Sequence, residues 1–163
     1  LLFLLIAIPL LAHGQSNTIT PTTCSGANKV SATTSTGGVT CTADVAVVPL
    51  DFYISGTCVV GAKPIRLYAL KAYTIASPWV TIAADTAPTG ATLIVDVNHN
   101  GTTIFTTQAN RPAIAISGNT AVSGVADGDV TVIAGEYLSV DIDQCGSAVV
   151  GLDVTVTVYS TQD

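Results

Sequence analysis

The 163 residues carry five Lys and Arg against eleven Asp and Glu, a formal net charge of -6, with 10% of the chain charged and 48% apolar. That length suits one domain with a sizeable core and is short for two. The basic residues Lys29, Lys63, Arg66, Lys71 and Arg111 form no run, which argues against a phosphate-neutralising patch and so against nucleic acid as a partner.

The residue excess lies in Val, Ile, Ala and Thr rather than in helix formers, so the composition points to strands. Residues 1–12 are an apolar run ending in Ala12-His13-Gly14, the h-region and small-residue cleavage site of a secretory signal. The run is shorter than the ~18–20 residues that span a bilayer as a helix, so no stable membrane insertion is expected after cleavage. No methionine or basic residue precedes it; the sequence is expected to lack its true N-terminus and the mature, exported chain to begin near Gln15.

Residues 15–44 are rich in Ser, Thr, Gly and Asn and offer little apolar surface to repay ordering. They read as a loosely packed N-terminal arm, with a short strand at residues 29–33, ahead of a β domain over residues 45–163. Cys24, Cys41, Cys58 and Cys145 make an even set, which favours disulfides in an exported chain and leaves three pairings open. The preferred pairing is Cys24 with Cys41, closing a short loop, and Cys58 with Cys145, tying two distant strands. No Cys-x-x-Cys spacing occurs, so neither a zinc site nor another cofactor is expected.

In the domain, residues 45–54 read as a strand, Ser55-Gly56 as a turn, and residues 57–60 as a further strand. Gly61-Ala62-Lys63-Pro64 reads as a break, because proline cannot donate to a ladder. In residues 65–76 the alternation changes phase near Ala69, which predicts a bulge or bend there. Residues 80–84 form another strand and residues 85–90 a loop. Residues 91–105 then form a hairpin: Leu93, Val95 and Val97 alternate with Ile94, Asp96 and Asn98, and the apolar pattern resumes at Ile104 and Phe105. Asn100-Gly101 suits a turn that needs positive φ twice. Pro112 precedes a short strand at 113–116, a weak segment follows at 121–125, and residues 130–133, 137–143 and 149–159 complete the set. In the last two strands Leu138, Val140 and Ile142, and Leu152, Val154, Val156 and Val158, alternate with polar residues, so one wet face is expected on each. No helical period persists. The expectation is an all-β fold, an antiparallel two-sheet β-sandwich of jelly-roll-like type.

Few residues suggest chemistry. Asp96, Asn98 and Asn100 before Gly101 match the opening of a calcium loop, but the closing glutamate position holds Thr107 and strands flank the loop, so turn chemistry explains them better. Asp127 with Asp129, and Asp141 with Asp143, have the i, i+2 spacing of paired acid and base groups; solvated turn and strand residues are the commoner use. His99, the mature chain's sole histidine, sits at a hairpin tip, an exposed and mobile place for a general base. Trp79 with a nearby tyrosine, from Tyr53, Tyr68, Tyr73, Tyr137 and Tyr159, is the candidate ligand contact as a sugar-stacking platform, although core packing is the commoner role for such rings.

One resemblance adds to this reading. Pro88-Thr89-Gly90, Asp96-Val97-Asn98, Asn100-Gly101-Thr102, Ile104-Phe105, Arg111-Pro112, Ala134-Gly135-Glu136-Tyr137, Asp141-Ile142-Asp143-Gln144 and Gly146-Ser147 follow in an order and spacing that resembles a β-sandwich domain of tailed-phage virion proteins, particularly tail-fibre and appendage proteins. Residues 52–61 and 65–75 resemble the strands that precede that motif. The resemblance implies a structural or receptor-facing module, often part of an oligomer, without catalytic residues. The signal sequence, and Cys145 where an apolar residue is expected, suit such a module used at a cell surface or outside the cell. The expectation is therefore a non-catalytic extracellular structural or adhesive subunit, a homo-oligomer whose targets are a surface glycan or another structural protein. Loops 85–90 and 98–102 would present its contact surface. The alternative is a secreted carbohydrate-binding module built on Trp79; a hydrolase lacks a credible base.

Overall fold

A computed structural model describes residues 28–33, 39–43, 46–123, 128 and 130–162. The chain divides into two compact units, residues 1–43 and 44–163. In the first, β1 (Asn28–Thr33) and β2 (Val39–Ala43) pair antiparallel. The expected arm thus contains a second strand beside the anticipated one. The signal segment and Cys24 lie outside the described residues, and so does the proposed Cys24–Cys41 pairing.

The second unit is a sandwich of two antiparallel sheets. Its strands are β3 (Ala46–Thr57), β4 (Gly61–Tyr68), β5 (Tyr73–Thr86), β6 (Leu93–His99), β7 (Thr102–Thr103), β8 (Ala113–Ile114), β9 (Thr120–Val122), β10 (Val130–Val132), β11 (Tyr137–Cys145) and β12 (Leu152–Gln162). The first sheet runs β10-β5-β12-β3 with β9 also on β5, and the second runs β4-β11-β6-β7 with β8 also on β6. Phe52, Ile75, Val80, Ile82, Val132, Val154, Val156 and Val158 of the first sheet are buried, as are Leu93, Val95, Val97, Ile114, Leu138, Val140 and Ile142 of the second. The period-2 alternation supplies both inner faces, because successive side chains of a strand point to opposite sides.

Several expectations are corrected. Ser55-Gly56 is not a turn: β3 continues through it, with Gly56 at φ 82° and its N–H donating to Asp153 Oδ1 at 2.6 Å. The ladder skips a residue there, so a bulge absorbs the glycine. Residues 58–60 are not a strand. Gly61 to Pro64 do not break the chain but open β4, an edge strand paired only with β11 among the described residues; an edge leaves one side of the backbone unpaired, where a proline without N–H is tolerated. The phase change near Ala69 is neither bulge nor bend within one strand. The chain leaves the second sheet after Tyr68 and enters the first at Tyr73, so the buried side of the pattern reverses. β5 begins well before residue 80 and contains its own irregularity opposite Tyr159, between Ile75 and Val80. Ile104 and Phe105 are buried yet lie beyond the two-residue β7: they fill the core from a loop. Residues 108–110 form one 3-10 turn, a short helical element that the pattern did not predict.

Cys58, just after β3, and Cys145, at the end of β11, are joined in a disulfide with a Cα–Cα distance of 5.6 Å. It ties one sheet to the other. Backbone bonds from Cys58 N to Gly151 O and from Gly151 N to Cys145 O, both 2.9 Å, hold the same corner.

Candidate functional site

The outer face of the second sheet concentrates polar and aromatic groups. It is anchored by the β6–β7 hairpin, whose register pairs Asn98 with Thr103 and His99 with Thr102. The loop is therefore two residues, and Asn100 and Gly101 lie at φ 50° and 83°, the pair of positive values that a type I′ turn demands. Asp96 and Asn98 belong to a strand rather than to a calcium loop, and Asp96 Oδ1 accepts the Thr103 hydroxyl at 2.7 Å. No cluster of three His, Cys, Asp or Glu suited to a metal occurs among the described residues.

His99 is not the free histidine expected at a hairpin tip. It is half-buried, and its Nε2 lies 2.7 Å from Glu136 Oε2. The same carboxylate oxygen accepts the Ile133 N–H at 2.9 Å, and Asn100 Oδ1 accepts the Tyr137 N–H at 3.1 Å. These bonds latch the hairpin to the turn before β11. The Ile133 N–H first, and then His99, hold the Glu136 carboxyl below its ordinary range.

Register builds the face in rows across the strands. Arg66 of β4, Ser139 of β11, Asn98 of β6 and Thr103 of β7 stand side by side. On one side of that row Tyr68 faces Tyr137; on the other Ala62, Asp141 and Asp96 align. The two tyrosine rings lie 5.5 Å apart, tilted by 51°, and the Arg66 guanidinium sits 4.6 Å from the centre of the Tyr137 ring. Tyr68 remains 58% exposed.

Beside the rings lies a polar floor. Asn98 is 6% exposed and Ser139 9% exposed; neither side chain is bonded within the protein among the described residues, and neither is among the polar groups cut off from water, so what polar surface they keep is turned to solvent. The expected wet face of β11 holds at Asp141 and Asp143, which are partly or fully exposed, but not at Ser139, which is covered between Arg66 and Asn98 because β11 is flanked on both sides. Asp143 falls where the β11–β6 register shifts and forms an ion pair with Arg111. Burial, aided by Asp143, raises the Asp96 carboxyl above its ordinary range, against the opposing effects of Thr103 and Arg111. Asp127 and Asp129 lie outside the described residues.

Trp79 is far from this arrangement in the fold. It belongs to β5 in the first sheet, at φ 59° in that strand's irregular stretch, and packs half-buried against the core with its indole N–H buried and unpartnered among the described residues. Tyr73 is buried and Tyr53 stands exposed on the first sheet. Of the aromatic residues considered from sequence, only Tyr68 and Tyr137 form a pair, and their juxtaposition is set by long-range register that local patterning does not report. Loop 85–90 is pinned by backbone, with Thr89 O accepting Ser147 N and Ala148 N, both at 3.0 Å. A mainly apolar cleft of about 430 Å³ opens beside Tyr68, lined also by Leu50, Leu67, Leu70, Lys71 and Tyr73.

Comparison with protein-family models, with curated proteins and with solved structures yields no match for this chain.

Proposed function

We propose that the chain is a non-catalytic, exported β-sandwich subunit with a structural or adhesive role, similar to the appendage domains of tailed phages, and that it meets its target through the outer face of the second sheet. The observation that carries this reading is the adjacent pair Asn98 and Ser139, whose side chains make no hydrogen bond within the protein among the described residues and turn their remaining polar surface to solvent beside the Tyr68–Tyr137 rings. A face that keeps such groups unspent is suited to a contact, where the partner completes the bonds. The other polar side chains support the same reading by their use inside the domain: His99 on Glu136, Thr103 on Asp96, Arg111 on Asp143 and Gln144 on Thr92. A general base needs freedom to reach a substrate proton, and His99 is committed to a latch. The Cys58–Cys145 disulfide is in keeping with an oxidising compartment.

Two measurements test the proposal. Beads coated with the chain from Gln15 onward are expected to retain bacterial cells, and Tyr68→Ala is expected to abolish retention while Tyr53→Ala preserves it. Equal retention by wild type and Tyr68→Ala would remove this face from the function. Light scattering after size exclusion is expected to give a trimer or larger assembly, and a clean monomer would remove the structural-subunit half of the proposal.

A further inference from the structure

We infer that the outer face of the second sheet is a saccharide-binding site with Tyr68 and Tyr137 as its stacking wall, Asn98 and Ser139 as its floor, and Arg66 and Asp141 as flanking charged contacts. The inference rests on the adhesive reading above and names the chemistry of its target. Four features of the face select that chemistry.

The first is the ring pair. A half-exposed tyrosine tilted against a second ring presents apolar surface with hydroxyls at its margin, which matches a sugar ring, apolar on its C–H face and polar around its rim. The second is the floor. A carboxamide and a hydroxyl each donate and accept, as a sugar hydroxyl does, and neither side chain spends that capacity within the protein among the described residues. In the free protein water supplies these bonds, and ligand hydroxyls that reproduce them replace it. The third is charge. Asp96, Asp141 and Asp143 lie on this face and the chain carries a net charge of -6, so an anionic polymer is repelled and a neutral saccharide is not. The guanidinium of Arg66, held over Tyr137, offers forked donors to adjacent hydroxyls. The fourth is shape. The site is a row across strands rather than an enclosed cavity, with the apolar cleft opening beside Tyr68 at one end; an open row suits a segment of a chain polymer better than a compact apolar ligand.

The experiment is native electrophoresis of the wild-type chain through gels containing soluble dextran, mannan, galactomannan or xylan. At least one polysaccharide is expected to retard it. Tyr68→Ala and Ser139→Ala are each expected to weaken the apparent affinity by about tenfold or more, with unchanged thermal unfolding; Tyr53→Ala, on the other sheet, is expected to match wild type. No retardation in any of the four gels, or retardation that survives both Tyr68→Ala and Ser139→Ala, overturns the inference. Periodate treatment of the cells, which cleaves vicinal diols, separates this failure from failure of the adhesive reading. Cells retained equally before and after periodate, and lost with Tyr68→Ala, leave an adhesive face that does not read saccharides. Cells not retained at all overturn the adhesive reading, and with no retardation in any gel both fall.

Discussion

The outer faces of the two sheets follow the same alternation but use particular polar side chains differently. On the first sheet Thr157 Oγ1 donates to Asp51 at 2.6 Å and Thr161 Oγ1 to Thr74 O at 3.3 Å. Even the inward Ser160 gives its hydroxyl to Val48 O at 3.0 Å. On the second sheet Asn98 and Ser139, more deeply covered than those threonines, are not spent. Those threonine hydroxyls reach a neighbouring strand, whereas Asn98 and Ser139 bond to none. The difference separates polar groups that stabilise the domain from a pair that does not.

The strongest way to break the comparison is to uncouple the sheets. Cys58 and Cys145 close a loop of 87 residues, for which chain entropy predicts a contribution of roughly 4–5 kcal/mol. The Cys58→Ser/Cys145→Ser variant should lose about that much in urea unfolding, both sheets melting in one transition. Two separate transitions would mean that the faces belong to independently stable layers.

A smaller effect contrasts two buried serines. Ser160→Ala should cost about 1–2 kcal/mol, because Val48 O loses a donor in the interior. Ser139→Ala removes no internal bond and should change stability by less than ~0.5 kcal/mol. Equal losses in the two variants would erase the distinction between the faces.

Two carboxylates of the second sheet should bend the pH dependence in opposite directions. Asp96 has its folded-state carboxyl raised, chiefly by burial. Its protonated form is favoured by folding, so stability falls as pH rises from the ordinary carboxylate value through the raised one. Asp96→Asn should therefore be more stable than wild type at neutral pH, the advantage vanishing in acid. Glu136 has its carboxyl lowered, chiefly by the Ile133 N–H. Its contribution is present above the ordinary glutamate value and is lost as pH falls from there through the lowered one. Glu136→Gln should lose that dependence and be less stable at neutral pH. Unfolding curves measured across pH on the two variants check both signs, and matching signs would refute the assignment.

Much of the fold was legible from local pattern. The alternation at Leu93, Val95 and Val97 and at Leu138, Val140 and Ile142 identified two inner faces, and Asn100-Gly101 identified the turn, whose positive φ values few other dipeptides adopt without strain. The errors cluster where local pattern meets a long-range event. The reversal near Ala69 has the appearance of a bulge in one strand, but it marks passage between sheets. Pro64 has the appearance of a breaker until β4 is known to be an edge. His99 reads as exposed until Glu136, brought by another strand, meets it. The candidate site was legible in its parts alone: Tyr68 and Tyr137 were two of several scattered tyrosines, and Trp79 drew attention for its size while packing against the core.

The sequence by itself determined that this chain builds strands, where the tight turn falls and which residues of each strand face inward, because those properties follow from side-chain sterics and a two-residue period within a short stretch. Only the tertiary structure decided which strands are neighbours, that Cys58 meets Cys145, and that Arg66, Ser139 and Asn98 form one row beside the Tyr68–Tyr137 pair. Register between distant strands depends on the packing of both sheets together, and a slip of one residue would turn Asn98 and Ser139 into the core and the valines outward.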